Sequence, residues 1–263
     1  MRILTYNILE GAVSPFGGVD NRFNLVVQIV QSSKADVVAL QECTDWEKNE
    51  SALLRRFESA VDMRGAMVVT QGFPLAIMIR PGLKIISARA TTEGFWHGVL
   101  DVLMDDQSGS QIRFLATHLH PRNTTKKLAE IRRVIRHHHL GERTVLMGDL
   151  NSISHLDDVL PEDLSEPTFI RHSRDGTLDF RVTELLEASG FVDTYVACGK
   201  DGPKYTIPTP GADKSDFTPA RLDYIFVSSE IANSVVSSHI IDDDLTRRAS
   251  DHFPLLLELR DRA

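Results

Sequence analysis

Residues 145–154 read VLMGDLNSIS, an apolar run that breaks at Gly148 and then presents Asp149 and Asn151 two positions apart. In a strand, positions i and i+2 point to the same face. The two side chains are therefore expected to look the same way where a strand leaves the core. The same pattern recurs along the chain. Ile3-Leu4-Thr5-Tyr6 ends in Asn7, Val37 to Gln41 ends in Glu42, and Arg113 to Thr117 ends in His118. Asp223 sits inside the apolar run ARLDYIFVS, and Asp251-His252 stands just before Phe253-Pro254-Leu255-Leu256-Leu257. A single polar residue at a strand end is commonly a turn or a cap. Asp223 is different, because an ionised carboxylate in an apolar strand needs a partner. Several such ends meeting at one sheet edge would make a ligand site of the kind α/β proteins build there.

The chemistry that fits these residue types is metal-assisted phosphoryl transfer. Glu42, Asp149, Asp223 and Asp251 are hard oxygen donors suited to Mg²⁺ or Mn²⁺ rather than zinc, as one ion or two. Asn7 and Asn151 can ligate or hydrogen-bond without adding charge. His118 and His252 can donate to phosphate oxygens or move protons near neutral pH. An aspartate on one ring nitrogen fixes the tautomer that the other presents, a role open to Asp223 toward His252.

Strand patterns run over 2–7, 36–41, 66–70, 74–79, 84–90, 98–104, 111–118, 143–148, 222–228, 235–241 and 253–259, with helical patterns over 21–33, 46–58, 123–138 and 179–189. DDQSGS (105–110) reads as a hairpin turn with Gly109 able to take a positive φ. The order βαβα, then hairpins, then αβ again implies mixed sheets covered by helices. With no repeat, low-complexity tract or linker, one domain over 1–263 is expected. The loop 199–219, rich in Pro, Gly and Asp, is of a length that often forms a functional rim.

Composition bounds the function. The chain has 263 residues, 42% hydrophobic and 25% charged, which describes an ordinary globular protein. A net charge of −8 and a pI near 5.7 argue against a protein whose main task is coating duplex nucleic acid. They leave room for a local basic groove. Cys43 and Cys198 suggest reduced thiols, and MRILTYNI carries no signal-peptide pattern, so a cytoplasmic location without stable membrane association is expected.

The motifs TYN, LQE, THL, GDLN, RLDYIF and SDH occur in this order between residues 5 and 252. Together they resemble the endonuclease/exonuclease/phosphatase superfamily over essentially the whole chain. The resemblance implies a four-layer α/β sandwich, two facing mixed β-sheets flanked by helices, with the site at one mouth. It implies that Glu42 is the main metal carboxylate, helped by Asn7 and Asp251, and that Asp149 activates or orients the attacking water. Asn151 would hold a phosphate oxygen, and His252, oriented by Asp223, would stabilise the pentacovalent transition state or move a proton. His118 resembles the second phosphate-facing histidine of the deoxyribonuclease, sphingomyelinase and deadenylase branches. Apurinic endonucleases usually show Asn-x-Tyr-x-Pro-Asn where this chain reads ATHLHPRN, which ranks abasic-site cleavage lower. The glutamate that pairs with this histidine in pancreatic-type deoxyribonucleases is missing. GFWHGVLDVLM offers His97 instead, with Glu93 four residues earlier as a substitute. Two facing histidines would favour an anion between them or leave one ring neutral.

Other features have plainer readings. His137-His138-His139 is expected in a helix's last turn, where consecutive residues do not share a face and so make a poor metal site. Arg122, Lys126, Lys127, Arg132, Arg133 and Arg136 read as a solvated helix face, although Arg122 and Asn123 follow His118 closely enough to border a substrate phosphate. Phe95 and Trp96 are expected to pack, with stacking on substrate as Trp96's other reading. Asp242-Asp243-Asp244 reads as a solvated loop. The function these expectations add up to is a metal-dependent phosphodiesterase acting on nucleic acid or a small phosphodiester. Phosphomonoester hydrolysis is the alternative, and an inactive binding module of the same fold is a remote third.

Overall fold

The structure, a computed structural model, describes residues 1–70, 73–105, 109–200, 202–212 and 218–260. In chain order the strands are β1 Arg2–Asn7, β2 Val37–Gln41, β3 Arg64–Val68, β4 Leu75–Ile79, β5 Lys84–Thr91, β6 Gly98–Asp105 and β7 Gln111–His118. They continue with β8 Thr144–Asp149, β9 Ser173–Arg174, β10 Thr177–Leu178, β11 Phe191–Asp193, β12 Asp223–Ser228, β13 Val235–Ile240 and β14 Leu255–Leu259. The helices are α1 Phe23–Ser33, α2 Lys48–Val61, α3 Thr124–Ile135, α4 Glu166–His172, α5 Arg181–Ala188, α6 Thr194–Ala197, α7 Ser229–Ala232 and α8 Thr246–Ala249.

Twelve strands form two six-stranded sheets, ordered β13-β14-β1-β2-β4-β3 and β11-β12-β8-β7-β6-β5. Each is mixed: β1·β2 and β7·β8 run parallel, the remaining pairs antiparallel. The side-chain alternation of strands sorts residues into layers. Ile3, Val37, Ala39 and Leu257 of the first sheet meet Phe114, Ala116, Val145, Met147 and Ile225 of the second in a common inter-sheet core. On the outer face of the first sheet, Leu4, Tyr6 and Leu40 pack under Phe23, Val26 and Val30 of α1 and Phe57 of α2. On the outer face of the second, Leu115, Leu146 and Phe226 pack under Leu128, Ile131 and Val134 of α3 and Val182 and Leu186 of α5. The i, i+3, i+6 spacing of the α3 residues is what turns one helical stripe toward the sheet. The expected four-layer sandwich is the fold observed.

The eleven predicted strands and four predicted helices are all present, 2–7 and 111–118 with the predicted bounds and the others with shifted ends. The structure adds β11, the β9–β10 hairpin, α4 and several single-turn helices, all too short to leave a periodic signal. In the 105–110 turn, Asp106 to Ser108 lie outside the described residues; Gly109 has φ +79°, as the turn requires. Two expectations about α3 are corrected. The helix stops at Ile135, so the three histidines follow it in a turn rather than forming its last turn. Their rings part company: His137 Nδ1 lies 3.0 Å from Asp101 and His138 Nδ1 2.9 Å from Thr144 Oγ1. Lys127 is not on the solvated face but buried, its Nζ donating to the Arg171 carbonyl at 3.0 Å.

Candidate active site

Four of the predicted polar strand ends continue the inter-sheet core of their own strand, whereas Glu42 has the parity of the outward Val38 and Leu40 and lines the cavity from a left-handed turn past the end of β2. Asn7 has the parity of Ile3, His118 that of Phe114 and Ala116, Asp149 that of Val145 and Met147, and Asp223 that of Ile225 and Val227. Strand register aligns them: His118 and Asp223 both pair with Asp149 across β7·β8·β12. The site is therefore the place where the inter-sheet layer changes from apolar to ionisable, at one end of the sandwich.

Gly148 explains the break in the opening stretch. Its φ is +141°, and a Cβ there would meet the Thr117 carbonyl oxygen at 1.9 Å. Only glycine lets β8 run this close to β7 one residue before Asp149. The relation between Asp149 and Asn151 differs from the expected strand alternation. β8 ends at Asp149, and Asn151 adopts a left-handed backbone with φ +47°. The Asn151 amide donates to Asp149 Oδ1 at 2.8 Å, so a side-chain-stabilised turn brings the pair to one cavity. Asn151 Nδ2 donates one hydrogen to the Leu119 carbonyl at 3.1 Å and retains a second.

Two side chains, Asn7 and His252, reach across between the sheets. Asn7 Nδ2 lies 3.1 Å from Glu42 Oε1 and 3.2 Å from Asp149 Oδ2, orienting both carboxylates at once. His252 Nδ1 lies 2.7 Å from Asp223 Oδ2, while its Nε2 points toward Asp149 Oδ2 at 3.9 Å. Glu42, at φ +60°, also accepts from the Glu10 amide at 3.2 Å. Ser250 Oγ donates to the Asn7 carbonyl at 2.7 Å and lies 3.3 Å from Asp251 Oδ1, fixing the chain that carries Asp251 and His252. Beneath these turns the buried Arg22 donates to the carbonyls of Ile8, at 2.8 Å, and of Leu9 and Ala249.

Burial and neighbours set the charges. Burial, reinforced by the Asp223 carboxylate, lifts the Asp149 pKa to about 7. Burial opposes charge on His252, but Asp223, Asp251 and Asp149 outweigh it and hold the imidazolium well above the usual histidine range. His118 is driven the other way by burial, then by His97 and His252, and His97 falls to about 3 through burial and His120. The His97 and His118 rings stack with centroids 4.0 Å apart and Phe73 edge-on to His97, an arrangement that favours neutral rings. His118 Nε2 lies 3.3 Å from Asp149 Oδ2. Glu93 is exposed and does not take the role of a partner to His118.

Among the described residues, Asp149, Asp223 and His252 offer ligand atoms within 4.8 Å of one another, a group that could hold a metal ion. The His252–Asp223 contact engages Nδ1 and leaves Nε2 facing Asp149. Glu42 and Asp251 are oxygen donors on the same cavity wall, and burial raises the Glu42 pKa, a cost that a bound cation would remove. A hard divalent ion therefore fits the donor set.

The cavity holding these groups measures about 470 Å³ and is lined by Glu42, His97, His118, Asp149, Asn151, Asp251, His252 and Arg122. Ile207 and Thr218 bring the loop 199–219 to its rim, while Asp201 and residues 213–217 lie outside the described residues. Asn123 is not brought there: it caps α3, accepting from the Lys126 amide at 2.9 Å. Trp96 is 53% exposed, not packed as expected, and lines a neighbouring hollow with Lys126 Nζ 5.7 Å from its ring. Sequence reasoning missed Arg22, Phe73, and the cluster of Arg171 and His172 on α4. The SEPTFIRHS stretch is short and carries no motif, and only the fold turns it toward the site.

The sequence model of the Endonuclease/Exonuclease/phosphatase family matches residues 4–252. No curated protein matches the chain. Among solved structures, an AP endonuclease from Archaeoglobus fulgidus is similar at 18% identity with a TM-score of 0.74, covering 98% of this chain and 99% of that one. A protein of Enterococcus faecalis V583, described as functionally unknown, aligns over 100% of both chains at 18% identity with a TM-score of 0.73. D. rerio TDP2 complexed with single strand DNA product aligns over 98% of this chain and 97% of its own at 18% identity with a TM-score of 0.69. At these identities the structural likenesses speak for the fold. With the family match spanning nearly every motif and the sandwich observed, the chain belongs to the endonuclease/exonuclease/phosphatase family.

Proposed function

We propose that the protein is a metal-dependent hydrolase that cleaves phosphodiester bonds by in-line attack of water, with Mg²⁺ or Mn²⁺ as one or two ions. Family membership supports a hydrolase acting on phosphodiester bonds. The observation that carries the reading is the juxtaposition of Asp149, at a pKa of about 7, with His252 held protonated by Asp223, beside Glu42 in one cavity. A base whose pKa lies near the working pH takes a proton from water efficiently. A fixed imidazolium stabilises charge growing on a phosphoryl oxygen, since it need not reorganise during the reaction.

In this reading Asp149 accepts the proton of the attacking water as the new P–O bond forms and the opposite P–O ester bond breaks, the leaving oxygen taking its proton from solvent. His252 Nε2–H donates to a non-bridging oxygen, Asp223 keeps that ring aligned, and Asn151 offers its second amide hydrogen to the same phosphate. Asn7 holds Asp149 and Glu42 in register. Neutral His118, stacked on His97, donates rather than charges the site, and Arg122 borders the phosphate. A divalent ion at Glu42, Asn7 and Asp251 would supply Lewis-acid polarisation of the phosphoryl oxygen when bound. All 263 residues act as one catalytic domain in this reading, because the site takes residues from both sheets. Nucleic acid is one candidate substrate, supported by the nature of the TDP2 complex and by exposed Trp96 beside Lys126. A small phosphodiester suits the cavity volume and the acidic pI. ATHLHPRN keeps abasic-site cleavage lower. A phosphomonoester is the second reading, since the same groups accept either ester.

The test is hydrolysis of bis(p-nitrophenyl) phosphate beside p-nitrophenyl phosphate, with Mg²⁺, Mn²⁺ or EDTA, by wild type, His252→Ala and Asp149→Asn. Metal-dependent diester cleavage that falls by about 10²–10⁴ in either variant at unchanged Tm is expected. A variant at near-native rate removes that residue from the mechanism, and preference for the monoester replaces the diesterase reading.

A further inference from the structure

Arg133 and Arg136, from the basic run of α3, have no part in the chemistry above. Three residues apart at the end of the helix, they flank a groove of about 600 Å³. None of the described residues lines both this groove and the catalytic cavity. The groove lies on the outer face of the second sheet, where the sheet ends in the edge strand β5 and residues 84–90 are exposed. Strand alternation turns Ser87, Arg89 and Thr91 to one side, and all three line the groove. Arg89 pairs in register with Asp101, which has the parity of Val99 in the outer layer under α3.

The charges in the groove fall into two sets. On its floor Arg113 donates to both oxygens of Asp101, at 2.7 and 2.9 Å, and to Glu142 Oε2 at 2.9 Å, while His137 Nδ1 lies 3.0 Å from Asp101. These groups satisfy one another. Arg89, Arg133 and Arg136 are exposed on the walls, and Glu93 is the one further carboxylate among the described lining residues. Arg133 is held in place. Its Nη1 donates to the Ala129 carbonyl at 3.0 Å, and it lies across Gly94, where a Cβ would meet its Nε at 2.5 Å. Like charges gathered in a concave surface raise the local potential, here in a chain of net charge −8. Salt screens exposed charges, so an isolated anionic group is held weakly there. A ligand whose anionic groups stand close together engages several arginines at once.

We propose that this groove is a binding site, separate from the catalytic cavity, for a compact small molecule carrying two or more linked phosphates, held by Arg89, Arg133 and Arg136. Each guanidinium offers parallel N–H donors that match phosphate oxygens, and the Ser87 and Thr91 hydroxyls add uncharged donors. The volume is that of a small-molecule site, which favours a compact ligand over a strand.

Inorganic tripolyphosphate is the probe, titrated into the whole protein by calorimetry at constant ionic strength. EDTA is present so that no metal bridges the probe to the catalytic carboxylates. One-to-one binding at least about tenfold tighter than that of inorganic phosphate is expected. Arg89→Gln and Arg133→Gln should each weaken it about tenfold, the scale of one charge-assisted hydrogen bond. Arg132→Gln removes an exposed arginine of the same helix that does not line the groove, and should leave the affinity unchanged. Melting temperatures show that each variant is folded. Tripolyphosphate that binds no tighter than phosphate overturns the site. Affinity kept in both groove variants, or lost equally in Arg132→Gln, overturns its assignment to these residues. Citrate bound as tightly as tripolyphosphate overturns the recognition of phosphate. Oligothymidylate bound more tightly, with the same dependence on Arg89 and Arg133, replaces the compact ligand by a nucleic-acid strand.

Discussion

Asp149 is the residue on which the most constraints converge. It accepts from Asn7, from the Asn151 amide, and faces both His118 and His252. Its position depends on Gly148, whose backbone no L side chain adopts without strain and whose missing Cβ leaves room for the Thr117 carbonyl. Gly148→Ala is therefore expected to lose more than about 2 kcal/mol of stability. Chemical denaturation would measure it, and a change below about half a kcal/mol would mean that β8 can shift away from β7 at little cost. The sequence announced Asp149 and Asn151 because both stand beside a glycine at the end of an apolar run. It gave the wrong reason for their meeting, since strand alternation and a left-handed turn leave the same D-x-N spacing.

At the scale of elements, α3 and α4 join the second sheet's outer layer to the cavity through Lys127. Burial lowers the Lys127 pKa to about 8 from an ordinary 10.5. Between those values the unfolded chain holds more protons than the folded one, so stability rises with pH across that window. Below pH 8 the full cost of the buried ammonium is present. Relative to Lys127→Met, wild type should gain roughly 3 kcal/mol of stability from pH 8 to pH 10.5. Parallel denaturation curves for the two proteins across that range would mean that the ammonium is not desolvated. Long elements were legible in the sequence because a half-buried strand or helix must repeat its apolar positions with period 2 or 3.6. Lys127 was misread because it stands in a run of charged residues whose other members, such as Lys126 and Arg132, are exposed; its burial is decided by α4, which has only seven residues and no period.

For the whole molecule, the site is an agreement between two sheets. Asn7, Glu42, Asp251 and His252 belong to or adjoin the first sheet, and His118, Asp149 and Asp223 to the second. A cation bound at Glu42, Asn7 and Asp251 would stabilise only the folded arrangement. Mn²⁺ at about 100 times its Kd should add about 2.7 kcal/mol, read as a rise in Tm that EDTA reverses. Glu42→Gln should lose most of that rise; an equal rise in the variant would place the ion elsewhere. The motifs were readable in order along the chain, and the fold followed from them. The cavity's α4 wall was not, because it is built from residues that are close only after the two sheets have met. Among the described residues no helix is long and apolar enough to cross a membrane.

The contacts from Asn7 to Asp149 and from Asp223 to His252 have a consequence for biosynthesis. The proposed catalytic set spans positions 7 to 252, so a nascent chain on the ribosome lacks the residue that completes it until codon 252 is read. Asn7 and Glu42 come from the early part of that span, and Asp149, Asp223 and His252 from the late part. A hydrolase built this way stays chemically silent until His252 has been translated and β14 has docked beside β1.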